Sequence, residues 1–180
     1  MKKEYDGFWD LKVWRLVPRP PPGPNVVIRN GVWTFRIKPK DDTYKSRCAY
    51  DGSSIPEKAE DVYAGAPKWD SIHLMCEISA CLGIPLKSGD IPMAFLQGDM
   101  PNTGKKYYMN QPTGFVDPDY PDYVLELLRP VYGLPIAGKA WKAFVCKKLG
   151  FVQMKADPCI FKLTTSKGNM MFIAIFTTTT

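Results

Sequence analysis

Frequent prolines and glycines divide this 180-residue chain into short segments, since 17 prolines and 14 glycines are spread along it. Proline fixes φ and has no N–H to donate, so the proline-rich stretch 18–24 predicts an extended connector. Between such breaks, several short segments alternate apolar and polar residues, and two longer segments place apolar residues at helical spacing. An α+β fold is therefore predicted, with an antiparallel sheet and packed helices.

Strand and turn signals predict two hairpins. Asn30-Gly31 is the strongest short hairpin-turn signal in the chain, and it separates two alternating segments. A second turn, 166–169, separates two more strand segments, the later of which is apolar throughout, as expected of a buried strand. The predicted strands are 26–28 and 32–38 in the first hairpin, 43–50, 84–89, 107–109, 123–128, and 159–164 and 170–176 in the second hairpin.

Two longer segments predict helices. Residues 68–82 carry a stripe of apolar side chains at helical spacing, and Gly83 follows as a terminating residue. Residues 135–149 show similar spacing, with Pro135 acceptable in a first turn and Gly150 at the end. The first helix is expected to be structural, whereas the basic side chains of the second either contact template phosphates or face water.

The composition excludes several kinds of site. The chain is 45% hydrophobic and long enough for one globular domain with a core. No apolar run approaches the roughly 20 residues of a membrane span, and no apolar signal segment follows the amino terminus, so a soluble intracellular protein without membrane contact is predicted. The five cysteines include no C-x-x-C pair and His73 is the only histidine. Neither a disulfide framework nor a zinc module is therefore predicted.

Positive charge is concentrated in the first 50 residues. They contain eleven Lys and Arg residues against five acids, whereas the remaining 130 residues balance at thirteen of each. A basic amino-terminal third suits a partner that carries phosphates, because positive charge steers and binds such partners. A solvated basic surface fits the composition equally well.

A single carboxylate, Asp90, stands at the end of a short apolar approach and precedes the compact apolar run 91–96. One acid alone is only a candidate for a site. Downstream of it, aromatic and glycine-containing motifs follow in a fixed order. These motifs are Tyr107-Tyr108-Met109-Asn110-Gln111-Pro112-Thr113-Gly114-Phe115, Val131-Tyr132-Gly133-Leu134, Ala140-Trp141 and Ala156-Asp157-Pro158-Cys159-Ile160-Phe161.

This ordered series resembles the reverse transcriptase of copia-type long-terminal-repeat retrotransposons. The family pattern reads approximately D-V-x-x-A-F-L-x-G, Y-M-x-Q-P-x-G-F, L-Y-G-L-K-Q-A-P-R-A-W and D-P-x-x-F. Segments 33–38, 44–47 and 68–72 resemble three upstream motifs of the same family. The likeness runs from about Trp9 to Phe176, and its motifs are specific because they share one order.

The resemblance implies an incomplete right-hand polymerase fold. The chain would be a single incomplete domain, in which residues 1–89 are mostly fingers and residues 90–180 are the palm core with a second fingers segment. The thumb, connection and ribonuclease H segments would be absent. The final strand would then lack its return partner, and such an exposed strand edge favours self-association.

The resemblance also implies roles for individual residues. The family acts on an RNA or DNA primer-template and a deoxynucleotide, with Mg²⁺ ions held by carboxylates. Asp90 would be a catalytic metal ligand, and the backbone carbonyl of Ile91 a further one. Lys45 and Arg47, two apart on one strand face, would bind the triphosphate, and Phe95 would exclude a 2′-hydroxyl. From the residues alone, an exposed strand face for Lys45 and Arg47 and a core position for Phe95 are the commoner explanations.

Two departures from the family pattern predict that the chain does not polymerise. Thr178 and Thr179 stand where the family has two aspartates, and no acid follows Asp157 in the sequence. Threonine hydroxyls are neutral and cannot replace anionic metal ligands. Ile136 stands where the family has a glutamine that contacts template or nucleotide.

Three interpretations of these departures remain open. The chain is an inactive copia-type reverse transcriptase fragment, or it is a non-catalytic domain that binds nucleic acid or a partner with the fingers and palm shape. Alternatively, the terminal threonines mark a reading frame or gene model that ends badly. Binding to primer-template separates the first two, and the flanking nucleic acid sequence tests the third.

Overall fold

The computed structural model describes residues 1–37, 42–53, 55 and 65–176. The chain divides into two compact units, each built from two stretches of sequence. Unit 1 comprises residues 1–62 and 93–141, and unit 2 comprises residues 63–92 and 142–180. Both units contain helices and strands, so the predicted α+β class is confirmed.

Unit 1 contains a four-stranded sheet and a separate strand pair. The sheet has the order β1-β6-β5-β2, in which β5 and β2 are parallel and the other neighbours are antiparallel. Strands β3 and β4 form the separate antiparallel pair. The elements are α1 (Lys2–Asp10), β1 (Trp14–Val17), β2 (Val26–Arg29), β3 (Gly31–Ile37), β4 (Tyr44–Tyr50), a 3-10 helix (Ala94–Gln97), β5 (Lys106–Asn110), β6 (Val124–Leu127) and the start of α3 (Ala137–Lys147).

The core of unit 1 lies around β5 and β6, the two inner strands of its sheet. All four residues of β6 are buried, including Glu126. A buried carboxylate is costly unless it is paired, and Arg15 on the neighbouring strand donates to it, with Nε 2.6 Å from Oε2. Lys106 Nζ lies 3.7 Å from the other carboxylate oxygen. The only acid in this strand is therefore stabilised by basic residues on both sides.

Helix α1 is an element that the sequence patterns did not predict. Its aromatic side chains cover unit 1: Phe8 is fully buried with its ring 4.7 Å from that of Trp14, and Tyr5 stacks on Phe115 at 4.4 Å. The three-residue spacing of Tyr5 and Phe8, which places both on one helical face, is the sequence signal that could have predicted this helix. Packing rather than intrinsic propensity accounts for such a short helix.

Unit 2 contains the helix α2 and a three-stranded antiparallel sheet with the order β7-β8-β9. Helix α2 confirms the prediction for residues 68–82 and ends at Gly83, whose φ of 62° is left-handed. The end of α3 also belongs to this unit. Within the described ranges, no helix combines the length and apolarity that crossing a bilayer requires. The elements are α2 (Trp69–Leu82), β7 (Val152–Gln153), β8 (Ile160–Thr164) and β9 (Met170–Ala174).

The hairpin predicted around Asn30-Gly31 is wrong. Strand β2 pairs with β5, while β3 pairs with β4, so Asn30-Gly31 is a junction between two sheets. A Cβ on Gly31 would lie only 3.0 Å from Met109 Sδ, so glycine permits close packing here rather than a tight turn. The Asn30 side chain accepts a hydrogen bond from Asn110 Nδ2 at 2.7 Å. The dipeptide is therefore explained by its neighbours on β5.

Two other strand predictions are also wrong in part. Residues 84–89 form no regular structure and are exposed, since Pro85 cannot donate to a ladder. The hairpin of β8 and β9 is confirmed, but the expected burial of its second strand is not: Met170 is 61% exposed. Strand β9 lies at the edge of its sheet, and an edge strand has a neighbour on one side only.

Candidate functional site

Lys45 and Arg47 lie on one face of β4, as predicted. In the register of the strand pair, Lys45 is opposite Arg36 and Arg47 is opposite Thr34. The Lys45 side chain is exposed and Arg47 is half-buried. Arg36, Lys45 and Arg47 therefore share one face of this strand pair.

Tyr132 brings Arg47 and Phe95 together. The guanidinium carbon of Arg47 lies over the Tyr132 ring, 5.6 Å from its centroid. The ring of Phe95 meets the Tyr132 ring edge-on, with centroids 6.0 Å apart and an interplanar angle of 79°. Two of the residues predicted to bind nucleotide are thus joined through one aromatic side chain. The sequence indicated Tyr132 only as a motif residue, without a role.

Phe95 lies in the 3-10 helix and is half-buried against the core of unit 1. The preceding Met93 has a φ of 52°, which turns the chain sharply into this helix. Arg129 holds the next turn, donating from its guanidinium to the Leu96 carbonyl at 3.1 Å. Phe95 therefore contacts the core but is not fully buried. This position is compatible both with a core aromatic and with a residue that excludes a 2′-hydroxyl.

The backbone around Tyr132 crosses the end of β4 at close range. The Tyr50 N–H donates to the Tyr132 carbonyl at 2.7 Å. A Cβ on Gly133 would lie 2.1 Å from the Tyr50 carbonyl oxygen, and a Cβ on Gly52 would lie 2.1 Å from the Gly133 carbonyl oxygen. Only glycine fits at these two positions, so the Val131-Tyr132-Gly133-Leu134 motif is fixed directly to the strand that carries Arg47.

Glu4 of α1 places a carboxylate in the electrostatic surroundings of the same strand. Burial raises the pKa of Glu4, and the nearby charges of Arg47 and Lys45 lower it less than burial raises it. Burial also raises the pKa of the Cys48 thiol to about 12, with the Glu4 charge adding to that effect. The basic face of β4 is therefore partly balanced by an acid from the amino-terminal helix.

Asp157 in unit 2 connects two of the recognised motifs. Its carboxylate accepts the Lys68 N–H at 2.8 Å, at the start of α2, and the Cys159 N–H at 2.9 Å. Burial alone would raise its pKa and is the largest single effect, but hydrogen bonds from Ser71, Cys159 and Lys68 together hold the pKa of Asp157 below its ordinary value. The D-P-x-x-F motif thus supplies the carboxylate that accepts the backbone N–H of Lys68, the residue directly before helix α2.

We expect Asp157→Asn to destabilise the chain by about 2 kcal/mol, because the neutral amide loses a charge-assisted acceptor that serves two backbone donors. Since the folded-state pKa is lowered, the charged carboxylate stabilises the fold above its unfolded pKa, and this contribution is lost as the pH falls through the folded pKa. Urea unfolding at neutral pH and at progressively acidic pH measures both effects. Asp119→Asn, at an exposed aspartate, is the matched control; equal stability of the two variants would contradict a stabilising role for the Asp157 hydrogen bonds.

Ile136 is a core residue. Its side chain is 1% exposed and belongs to the buried cluster of unit 1. A template or nucleotide contact by a polar side chain, as in the family's glutamine, is therefore not available from this position. The apolar Ile136, in place of the family's glutamine, suits this buried position.

Asp90 and Ile91 lie in unit 2, in the exposed irregular segment that follows α2. Ile91 is 51% exposed. Lys45, Arg47 and Phe95 lie in unit 1. The predicted site residues are thus divided between the two units. Among the contacts described, only those of Tyr132 connect two of them, Arg47 and Phe95. Thr178 and Thr179 lie outside the described residues.

Comparison with known proteins establishes the class of protein. Residues 11–178 match the family of reverse transcriptases (RNA-dependent DNA polymerases). The chain belongs to this family, and the copia-type family predicted from the ordered motifs is confirmed. No solved structure matches the chain.

The relatives are transposon proteins, two of which are Pol polyproteins. The chain is 34% identical over 164 residues to the retrovirus-related Pol polyprotein from transposon RE2 of Arabidopsis thaliana, and 32% identical over 164 residues to that from transposon RE1. Each match covers 86% of this chain and 11% of the relative. The putative transposon Ty5-1 protein YCL074W of Saccharomyces cerevisiae is 34% identical over 90 residues, which cover 48% of this chain and 28% of that protein. The chain therefore spans about a tenth of the Arabidopsis polyproteins.

Reverse transcriptases typically use Mg²⁺, and the donor groups of this chain can be compared with that requirement. Mg²⁺ prefers hard oxygen ligands, and two such ions need several carboxylates in one place. Among the residues that the structure describes, no three His, Cys, Asp or Glu side chains form a group that could hold a metal ion. Asp90 is not part of any such group. The described residues therefore do not fit a pair of Mg²⁺ ions.

Proposed function

We propose that this chain is a piece of a copia-type retrotransposon Pol polyprotein that retains a nucleotide-binding surface in unit 1 but does not synthesise DNA. The observation that supports it is the assembly of Arg47, Tyr132 and Phe95. A cation for phosphate and an aromatic ring for the sugar are held near each other by a third side chain. The proposed ligands are a deoxynucleoside triphosphate and an RNA or DNA primer-template.

The proposed division into fingers and palm follows the motif order. Residues 1–89 are mostly fingers, and residues 90–180 are the palm core with a second fingers segment, of a right-hand polymerase. The β3–β4 pair, which carries Lys45 and Arg47, is the proposed fingers hairpin. Its pairing differs from the one predicted at Asn30-Gly31, but the two cations keep their shared face.

Lys45 and Arg47 have distinct proposed roles in binding phosphate. The planar guanidinium of Arg47 can donate two parallel hydrogen bonds to phosphate oxygens, and its position over Tyr132 limits the directions it can take. Lys45 supplies an exposed point charge beside it. Glu4 opposes both cations, so the net attraction of this face for phosphate is smaller than two cations alone would provide.

The proposed loss of catalysis rests on four positions. Asp90 and the backbone carbonyl of Ile91 would be the remaining metal ligands of the family site, while Thr178 and Thr179 offer no anionic ligand. Two metal ions facing one carboxylate would lack most of the negative charge that holds them. The chain would then be a non-catalytic domain that binds nucleic acid, because Arg47 and Phe95 remain while the anionic metal ligands are lost.

Binding of a fluorescently labelled primer-template with deoxynucleoside triphosphate tests the proposal. We expect Arg47→Ala to weaken binding about 10-fold, since a charge-assisted hydrogen bond contributes about 1.5 kcal/mol or more. Lys45→Ala should weaken binding less than Arg47→Ala does. It should also reduce the slope of log affinity against log salt concentration by about 1, the value for one lost phosphate contact. Lys167→Ala, in the β8–β9 turn of unit 2, is the matched loss of charge and should have no effect. Absence of binding by the parent chain would overturn the proposal and indicate an inert remnant.

A further inference from the structure

We propose that Tyr132 is a positioning residue, which fixes Arg47 and Phe95 relative to each other so that the phosphate and the sugar of one nucleotide are recognised together. This inference rests on the nucleotide-binding function proposed above. Tyr132 contacts both residues within unit 1. It is itself half-buried, so one part of its ring packs while the rest remains accessible.

The backbone of Tyr132 is tied to the strand that carries Arg47. Its carbonyl accepts the Tyr50 N–H at 2.7 Å, three residues along β4 from Arg47. The next residue, Gly133, has a φ of 80°, and its Cα faces the Tyr50 carbonyl at a distance that admits no side chain. Because the crossing is so close, the Tyr132 ring and the base of the Arg47 side chain belong to one rigid local structure.

The Tyr132 ring restricts a side chain that otherwise has many conformations. Arginine loses substantial rotamer freedom when it is ordered, and a ligand that must order it binds more weakly. A guanidinium within about 6 Å of an aromatic centroid is attracted to the ring face. Glu4 also attracts Arg47, since the charge of Arg47 acts to lower the pKa of Glu4. The ring therefore holds Arg47 over one surface in competition with a nearby carboxylate.

The edge-on contact connects this arrangement to Phe95. Aromatic rings favour edge-to-face geometry at centroid distances of about 4.5–7 Å, and the Phe95–Tyr132 pair has this geometry. Phe95 is the second residue of the 3-10 helix that follows the left-handed Met93, so its backbone is held by that helix. A change in the Tyr132 ring should therefore alter the phosphate contact and the sugar contact at once. A residue with only a general packing role would not couple these two properties.

The test compares dGTP and GTP binding to the chain in complex with a primer-template whose next template base is cytosine. We expect Tyr132→Leu to weaken dGTP binding about 5–20-fold and to bring the dGTP and GTP affinities closer together, because both contacts lose their common support. Tyr132→Phe keeps the ring and should bind as the parent does. If Tyr132→Leu binds and discriminates like the parent, the inference is overturned while the proposed function stands.

A second variant addresses the case in which Tyr132→Leu does not fold. Incorporation of 3,4,5-trifluorophenylalanine at position 132 keeps nearly the shape of phenylalanine but weakens the negative potential of the ring face. Relative to Tyr132→Phe, it should lower dGTP affinity several-fold with unchanged thermal stability. Equal affinities of these two variants would contradict the positioning role.

A measurement without nucleotide separates failure of this inference from failure of the proposed function. The Arg47 Hε resonance should be shifted upfield by the Tyr132 ring current in the parent and in Tyr132→Phe, and return to an ordinary value in Tyr132→Leu. If the parent binds neither nucleotide, the proposed function fails, and the upfield shift alone then supports the placement of Arg47. An ordinary Arg47 Hε shift in the parent overturns the inference in every case.

Discussion

The purified 180-residue chain should add no deoxynucleotide to a primed RNA template, in the presence of Mg²⁺ and all four deoxynucleoside triphosphates. Paired-metal nucleotidyl transfer requires several carboxylates around the ions, and Asp90 is the one acid that the motif order supplies. Thr178 and Thr179 are neutral, and the sequence after Asp157 contains no acid that could substitute. Activity should fall below that of an intact family member by several orders of magnitude.

Two controls make this primer-extension result interpretable. Binding of the same labelled primer-template, measured by fluorescence anisotropy, must be shown first, so that the absence of extension reflects chemistry rather than lack of substrate. Asp90→Ala should then leave the background unchanged. Incorporation that depends on Mg²⁺ and disappears in Asp90→Ala would refute the proposed loss of catalysis and would identify Asp90 as a working ligand.

Gly133→Ala should destabilise the fold by about 4 kcal/mol or more, which is a large part of the 5–15 kcal/mol typical of a folded domain. Gly133 has a φ of 80°, and a Cβ there would lie 2.1 Å from the Tyr50 carbonyl oxygen. Left-handed backbone alone costs a non-glycine residue about 1–2 kcal/mol. The rest of the expected cost is steric, because backbone atoms on both sides must move. Urea unfolding followed by tryptophan fluorescence measures it.

Two other glycines separate the steric cost from the conformational cost. Gly104 has a φ of 73° with open space around its Cβ position, so Gly104→Ala should cost only about 1 kcal/mol. Gly52 faces the same crossing, with a Cβ position 2.1 Å from the Gly133 carbonyl oxygen, and Gly52→Ala should therefore be strongly destabilising. If Gly133→Ala and Gly104→Ala had equal effects, the close crossing of β4 and the Tyr132 motif would be wrong.

Local patterns predicted the elements that depend on local interactions. The helix ended by Gly83, the inner strands β5 and β6, and the β8–β9 hairpin all appear close to their predicted positions. In each, periodicity and the terminating residues act within one segment, so no distant part of the chain is needed to specify them. The ordered motifs likewise carried the family assignment, since order along the chain is itself a property of the sequence.

Pairing and burial were predicted less well, because they depend on which distant segments meet. Asn30-Gly31 carried a hairpin signal, yet close packing of Gly31 against Met109 on β5 accounts for the glycine. The apolar strand β9 was expected to be buried but lies exposed at a sheet edge. In the candidate site, Lys45, Arg47, Phe95, Asp90 and Ile91 were selected by resemblance, and their roles stay predictions.

The sequence by itself determined the family, the α+β class, the shared strand face of Lys45 and Arg47, and the absence of acids after Asp157. Only the tertiary structure revealed that Tyr132 joins Arg47 to Phe95 and that Asp157 accepts the Lys68 N–H at the start of α2. Periodicity and motif order act over a few neighbouring residues, where chain connectivity fixes the geometry. Contacts between residues separated by tens of positions depend instead on how whole elements pack, and the 2.7 Å backbone hydrogen bond between Tyr50 and Tyr132 is one such contact.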